Sequence, residues 1–175
     1  MKNNKGITMV ALVLTVVVMA ILTGIVISFG SKHLKEAELQ DLVTNMLLIQ
    51  AKAKIGVEEV EFKTANITDQ GKIAQIKDEN LLGELVDIDE QTDNVTKLLN
   101  KILSKAEDLE KDWYYLDNDD LKEIGLYELM SLNNENQYYL YTYNSTTLEI
   151  EVLYTGGYIT SDNVTYYKLS ELESL

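Results

Sequence analysis

The sequence predicts an α+β chain, in which one long N-terminal helix packs on a small domain with connecting helices and a C-terminal antiparallel sheet. The first half of that helix is predicted to be transmembrane. The stretch from Ile7 to Phe29 has 23 residues and no charge, and as a helix it would measure about 35 Å, against a hydrocarbon core of ~30 Å. After residue 137, short runs rich in Tyr and Thr alternate with Asn, Ser and Gly, a pattern typical of antiparallel strands.

The composition limits the classes of function. The chain has 175 residues, a formal net charge of -14 and no cysteine, proline or arginine. Without cysteine there is no disulfide and no thiolate metal site. All 29 acidic residues follow Lys35, and a surface this acidic repels phosphate groups. We therefore expect no nucleic-acid partner and no cofactor.

The uncharged N-terminal segment is open to three interpretations. A secretory signal peptide has an apolar region of about 7–15 residues and then a small-residue cleavage site, whereas the run here has 23 residues. A plain single-pass anchor fits the length, although lysines flank the segment equally on both sides and leave its orientation open. The third interpretation depends on the residues where the segment begins.

A short basic leader, MKNNKG, ends at Lys5-Gly6, and an unbroken apolar helix begins at Ile7. The KGITMVALVLT pattern resembles the N-terminus of type IV pilins and pseudopilins, in the form common in prepilin-like proteins of Gram-positive bacteria. The resemblance covers Lys5 to Ser28, and the segments WYYLDNDDLKEIGL and TYYKLSEL resemble parts of the ectodomains of such proteins. It implies cleavage after Gly6 by a prepilin peptidase and N-methylation of Ile7 as the mature N-terminus.

The resemblance also implies a domain plan, a location and partners. Residues 1–6 would be the leader, 7–30 the transmembrane and assembly helix, and 31–175 an extracellular pilin-like domain. The short N-terminus would lie in the cytoplasm, and the helix would contact membrane lipid before assembly. In a surface filament, other pilin-like subunits would then contact the same helix.

Ala11 departs from the family pattern. Most such subunits carry Glu at the fifth mature position, where its carboxylate pairs with the N-terminal amine of a neighbour, and a buried amine without that partner is costly. Near the mature end at Ile7, Thr8 supplies a hydroxyl but no charge. We therefore expect a minor or atypical structural subunit of a filament or of a secretion or competence pseudopilus. The alternative is a membrane-anchored extracellular binding module that does not polymerise.

Hydrophobic periodicity predicts that the N-terminal helix continues to about residue 55. Apolar residues recur with the i, i+3, i+4, i+7 spacing of a helix with one buried face. They are Leu39, Leu42, Val43, Met46, Ile49 and Ala53. Residues 57–62 could prolong this helix or form a short strand, and 64–71 is predicted to be a loop.

The middle of the chain is predicted to hold connecting helices between about 78 and 132. The first contains Leu81, Leu82, Leu85 and Val86. An acidic turn at 87–93 follows, and a second helix runs from the cap Asn94 through Ala106.

A short strand, a short helix and the sheet are predicted to follow. The strand is 113–116, and the helix starts at Asp117 to Asp120 and ends at Gly125, with another turn at 127–132. Strands are predicted at 137–143, 148–154, 158–160 and 165–169, with turns at 144–146 and 161–163 and a break at Gly156-Gly157.

Residues suited to catalysis or metal binding are few. No phosphate loop, nucleophile elbow or HExxH motif occurs, and we expect no enzymatic activity. Asp87, Asp89 and Asp93 have the spacing of the first, third and seventh ligands of a Ca²⁺ loop. Thr92 stands where such a loop requires glycine, and Leu98 where it requires glutamate, so a solvated acidic turn is the alternative interpretation.

Tyrosine is concentrated in the predicted sheet. The residues are Tyr138, Tyr139, Tyr141, Tyr143, Tyr154, Tyr158, Tyr166 and Tyr167. Aromatic residues favour strands in general. If the strands are regular, however, alternate tyrosines point outward, and they would then form an aromatic outer face suited to neighbouring subunits, sugars or a surface.

Overall fold

The computed structural model describes residues 9–88, 94–103, 108, 110–129 and 137–175. Within residues 9–34, it describes the side chains of Thr15, Val16 and Met19 only. The chain divides into two compact units, Met1–Asp41 and Leu42–Leu175. Over the residues described, we find no helix with the length and apolar character needed to cross a membrane.

The described elements form an α+β fold with a long helix and an antiparallel sheet. In chain order they are α1 (Met9–Thr64), α2 (Gln70–Asn80), β1 (Glu84–Leu85), α3 (Asn94–Ile102), β2 (Trp113–Tyr115), α4 (Asn118–Glu123), a 3-10 turn (Tyr127–Leu129), β3 (Tyr139–Tyr143), β4 (Ile150–Ile159), β5 (Thr165–Lys168) and α5 (Leu169–Leu172). The 5-stranded sheet has the order β1-β2-β3-β4-β5, so every strand pairs with its neighbours in sequence. The α+β class, the long helix and the antiparallel sheet are thus confirmed.

Helix α1 continues to Thr64, so the predicted end near residue 55 is wrong, and of the two alternatives for residues 57–62 the prolonged helix is confirmed. The buried stripe that begins at Met46 is prolonged by Val57 and Val60, which are almost fully buried. Burial of this second apolar group stabilises helix across Gly56, a residue of low helix propensity. In the last turn, the hydroxyl of Thr64 donates to the Val60 carbonyl at 2.7 Å.

The segment after α1 differs from the prediction. Asp69 caps α2, where its carboxylate accepts from two backbone amides of the first turn, so the helix begins at Gln70 rather than near 78. It also ends earlier, because Gly83 adopts a positive φ of 81°, which L side chains rarely adopt. Residues Glu84 and Leu85 then pair with β2 as a strand. The predicted helix over Leu81–Val86 is therefore wrong.

Helices α3 and α4 begin where the sequence predicts. Helix α3 starts at Asn94, buries Leu99 and ends at Ile102, so Leu103 lies outside the helix that was predicted to include it, and residues 104–106 of the predicted extension lie outside the described residues. Asp117 caps α4 by accepting from the amides of Asp119 and Asp120, and the Asp120 carboxylate accepts from the Asp117 amide in return. These aspartates are thus engaged in a reciprocal capping arrangement.

Strand β4 passes through Gly156-Gly157, where the sequence predicts a break. The strand runs to Ile159, and the register with β5 shifts between Leu153 and Tyr158. Gly157 has a φ of 67°, so the two glycines form an irregularity within the strand rather than its end. The predicted strand at 158–160 is therefore the last part of β4, and the chain after Lys168 turns into the short helix α5.

The sheet is covered on both faces. Successive residues of a strand point to opposite faces, and Tyr139, Leu140 and Tyr141 of β3 are all buried. On the Leu140 face, Leu99 of α3 belongs to the same core cluster as Trp113. On the other side of the sheet, the buried stripe of α1 is held near β4, because the Gln50 amide donates to the Ile150 carbonyl at 2.8 Å.

A buried aspartate joins the segment before β2 to the last strand. The Asp108 carboxylate pairs with Lys111 and with Lys168, which lies 60 residues further along the chain. The indole of Trp113 donates to the Asp108 carbonyl at 2.8 Å. Burial raises the pKa of the Asp108 carboxyl, but hydrogen bonds and charge from the two lysines outweigh it, so the pKa lies below its ordinary value.

Candidate functional site

The predicted processing site lies mostly outside the described residues. Gly6, Ile7 and Thr8 precede the first described residue, Met9. Ala11 lies within the helical backbone of α1, but its side chain is outside the described part. Cleavage after Gly6 and methylation of Ile7 therefore stay predictions.

Of the three aspartates of the predicted calcium loop, only Asp87 is described. Asp89 and Asp93 lie outside the described residues, and Asp87 has an exposed side chain. The Asp87 carbonyl accepts from the hydroxyl of Thr96 at 3.4 Å, which connects the loop to α3. Within the described part of the chain, no group of three or more acidic, histidine or cysteine residues could hold a metal ion.

An aromatic outer face on the sheet is not observed. Tyr138, Tyr139 and Tyr141 are buried, and the other five tyrosines of the sheet are partly buried. Tyr139 stacks on Tyr154 with 4.7 Å between ring centroids, and Tyr141 stacks on Tyr114 at 5.2 Å. These rings are packing elements of a sheet with two covered faces, which alternation along a strand does not reveal.

A second apolar stripe lies on α1, on the side opposite the buried one. Leu48, Ile55 and Phe62 recur at seven-residue intervals, which keeps them on one side of a helix. They are 37%, 60% and 85% exposed, respectively. We call these three residues the outer stripe. The seven-residue spacing of the outer stripe is visible in the sequence, whereas the periodicity that predicts α1 comes from the buried stripe.

Charged residues flank the outer stripe in two blocks. Lys52 and Lys54 lie between Leu48 and Ile55, and Glu58 and Glu59 lie between Ile55 and Phe62. Lys63 pairs with Glu59 at 2.8 Å in an exposed ion pair, which contributes little to stability. An apolar strip bordered by charges is typical of a helix face that packs against another protein surface.

Beside the outer stripe lies a groove of ≈ 320 Å³ between α1, the end of α2 and α4. Gly56 permits the close approach of these elements, because a Cβ there would lie 2.5 Å from the Asn80 carbonyl oxygen. Asp120 borders the groove. Burial, and to a smaller extent the neighbouring charge of Asp117, raises the pKa of the Asp120 carboxyl to about 6.

A larger crevice of ≈ 730 Å³ lies at one end of the sheet. The start of β2, the end of β3 and the start of β4 meet there, because β3 is antiparallel to both of its neighbours. The walls come from these strand ends, from the β3–β4 turn and from Lys77 of α2. No single stretch of sequence contains this set, so the crevice could not be predicted from the sequence.

The polar groups of the crevice are partly engaged with one another. The Lys77 ammonium lies 5.9 Å from the ring centroid of Tyr143, a cation–π distance. The side-chain oxygen of Asn144 accepts hydrogen bonds from two backbone amides of the turn. The NH₂ group of the same side chain takes no part in these two bonds. The Glu151 carboxylate accepts from Ser170. The surface of the crevice is thus polar and contains both hydrogen-bond donors and hydrogen-bond acceptors.

No protein-family model, curated protein or solved structure matches this chain.

Proposed function

We propose that the chain is a minor or atypical structural subunit of a type IV pilus-like filament, or of a secretion or competence pseudopilus. In this proposal a prepilin peptidase cleaves after Gly6, and the uncharged segment that begins at Ile7 lies in the cytoplasmic membrane before assembly. The domain lies outside the cell and has no enzymatic role. The leader and the uncharged helix behind it support the proposal from the sequence.

The outer stripe is the structural observation that carries the proposal. A subunit that assembles through its N-terminal helix needs a second apolar face on that helix, because the first is used by its own domain. The outer stripe offers such a face at Leu48, Ile55 and Phe62. Burying the exposed parts of these side chains against neighbouring subunits would contribute on the order of 4 kcal/mol.

The processing half of the proposal is tested by intact mass. The protein is recovered from membrane and sheared-surface fractions of cells with a working prepilin peptidase. We expect a mass that lacks residues 1–6 and carries one methyl group on Ile7, and we expect Gly6→Leu to retain the leader. A mature protein that still begins at Met1 would contradict the proposal.

The assembly half is tested by a matched pair of substitutions. Ile55 and Ile159 are 60% and 55% exposed, and Ile159 is the last residue of β4 and does not belong to α1. We expect Ile55→Gln to reduce the amount of protein in the sheared fraction several-fold, while Ile159→Gln leaves it unchanged. Equal behaviour of the two variants would show that the outer stripe has no part in assembly.

The crevice favours a second candidate function, a membrane-anchored extracellular binding module. Such a protein would keep residues 1–6 and would act without polymerising. Loss of the prepilin peptidase would leave its function unchanged, whereas a filament subunit would stop reaching the cell surface. The two candidates are therefore distinguished by the same mass measurement.

A further inference from the structure

The outer stripe of α1 has the spacing of a seam between two helices. Leu48, Ile55 and Phe62 recur every seven residues, and Ala51 is an exposed residue between the first two. Ala51 lies three residues after Leu48 and four before Ile55, so it shares their side of the helix. Apolar residues with this alternating spacing form the seam of a two-stranded coiled coil, and a side chain as small as alanine lets the helix axes approach closely.

The charges that border this seam are complementary to those of a second copy of the chain. In a parallel pair of helices in register, the residue directly before a seam residue faces the residue five positions further along on the other helix. Lys54, directly before Ile55, therefore faces Glu59 of the second copy, and the symmetry of the pair repeats this contact. Both side chains are exposed. Glu59 also pairs with Lys63 of its own chain, but an exposed pair of this kind is weak and does not prevent a second contact.

A shift of one helix by seven residues removes this complementarity. The seam would remain apolar, but Lys54 would then face Lys52 of the second copy, and Glu61 would face Glu59. Facing like charges are unfavourable. The charge pattern of α1 therefore favours the unshifted register.

We propose that the outer stripe binds a second copy of this chain, parallel and in register, while both copies are in the membrane. The parallel direction rests on the proposed function, in which the uncharged segment that begins at Ile7 anchors both copies in one membrane with the same orientation. The inference goes beyond that function by naming the first partner of the outer stripe.

The pair is weak and depends on the membrane. Three apolar side chains and one alanine bury less area than the ~1,200 Å² of a stable interface between soluble proteins. In addition, Glu58 lies beside the seam, seven residues after Ala51, so the two copies of its carboxylate repel each other. Anchoring in one membrane raises the effective concentration of the two copies and offsets these costs.

Disulfide cross-linking tests the pair, on the full chain in membranes of cells that produce it. The chain has no cysteine, so Ala51→Cys introduces the only thiol. In the proposed pair the two copies of residue 51 face each other within the Cα–Cα reach of a disulfide, about 4.4–6.8 Å. We expect mild oxidation to give a covalent dimer. Ala74→Cys is the matched control, since Ala74 is an exposed alanine of α2. Equal amounts of dimer from the two variants would overturn the proposal.

Charge reversals in the Ala51→Cys background test the register. Lys54→Glu or Glu59→Lys alone should reduce the dimer yield several-fold, and the two together should restore it. Lys52→Glu is the control, because it makes the same change of charge at a position that faces no acidic residue in this register. Glu58→Gln should raise the yield, since it removes a repulsion. A double reversal that fails to restore the cross-link would overturn the in-register arrangement.

The cross-link and the proposed function can fail separately. The intact mass reports removal of residues 1–6 whether or not the pair forms. A cross-link at residue 51 in a protein that keeps its leader would contradict the filament subunit and support the pair. Cleavage after Gly6 without a cross-link would contradict the pair and support the filament subunit.

Discussion

The ion pair between Asp108 and Lys168 provides the sharpest test of what holds the domain together. Asp108→Asn removes the charge with little change in volume and leaves the backbone carbonyl that accepts from Trp113 in place. Lys168→Met removes the ammonium group but keeps the apolar stem that packs beneath it. Together with the double variant, these substitutions form a double-mutant cycle.

The magnitude follows from the burial of the two partners. The side chains of Lys168 and Asp108 are 19% and 9% exposed, whereas Lys111 is 46% exposed. A charge-assisted hydrogen bond in such partly buried surroundings contributes about 1.5–3 kcal/mol, and an exposed pair about 0.2–1 kcal/mol. We expect a coupling energy of about 1–2 kcal/mol for Asp108 with Lys168, and less than ~0.5 kcal/mol for Asp108 with Lys111.

Urea unfolding of the full chain in detergent, followed by the fluorescence of the single tryptophan, measures these energies. The cycle is first run at pH 7. The cycle is then repeated at lower pH. The ordinary pKa of an aspartate is 3.8, and the pKa of Asp108 in the folded protein lies below it, so the coupling energy should fall only when the pH drops below 3.8 and Asp108 becomes protonated. A coupling energy below ~0.3 kcal/mol at pH 7 would refute the view that this pair joins β5 to the segment before β2.

Three further predictions concern Asp120, Gly56 and Leu99. Because the native-state pKa of Asp120 is raised to about 6, its contribution to stability should fall as the pH rises from about 4 to about 6. Asp120→Asn should therefore flatten the plot of urea midpoint against pH over this range. An identical plot for the variant and the wild type would contradict the raised pKa of Asp120. Gly56→Ala should cost about 1 kcal/mol net, since the clash with the Asn80 carbonyl outweighs the gain in helix propensity, whereas Gly71→Ala, which meets only a side chain, should be neutral or stabilising. Leu99→Ala should cost about 2–5 kcal/mol because Leu99 is fully buried, and a cost below 1 kcal/mol would place it outside the core.

The sequence predicted elements wherever local pattern and tertiary packing agree. The buried stripe of α1 was visible at Met46, Ile49 and Ala53, because one face of a helix repeats every 3.6 residues. The cap of α4 was visible at Asp117, since a carboxylate before a helix accepts from amides that have no other partner. Both features depend on residues within two turns of each other.

The errors arise where distant residues decide the conformation. The leucines at 81, 82 and 85 favour a helix by propensity, but α2 ends at Asn80, Gly83 has a positive φ, and Leu85 pairs with β2 as a strand. Gly156-Gly157 would end an isolated strand, yet β5 continues the pairing beyond it. The crevice depends on three strand ends meeting, which no local pattern encodes.

The order of strands in the sheet has a consequence for how the domain folds. Each strand pairs with the strand next to it in sequence, but only two of the connections are short. Residues 144–149 join β3 to β4 and residues 160–164 join β4 to β5, so closing these two loops costs little entropy, whereas residues 116–138 separate β2 from β3 and residues 86–112 separate β1 from β2. The β3–β4 hairpin, with five paired positions across a tight turn, is the natural first step, and β2 and β5 can then add to its two edges. A domain with this topology can form stepwise from the hairpin outward, without first bringing the two ends of the chain together.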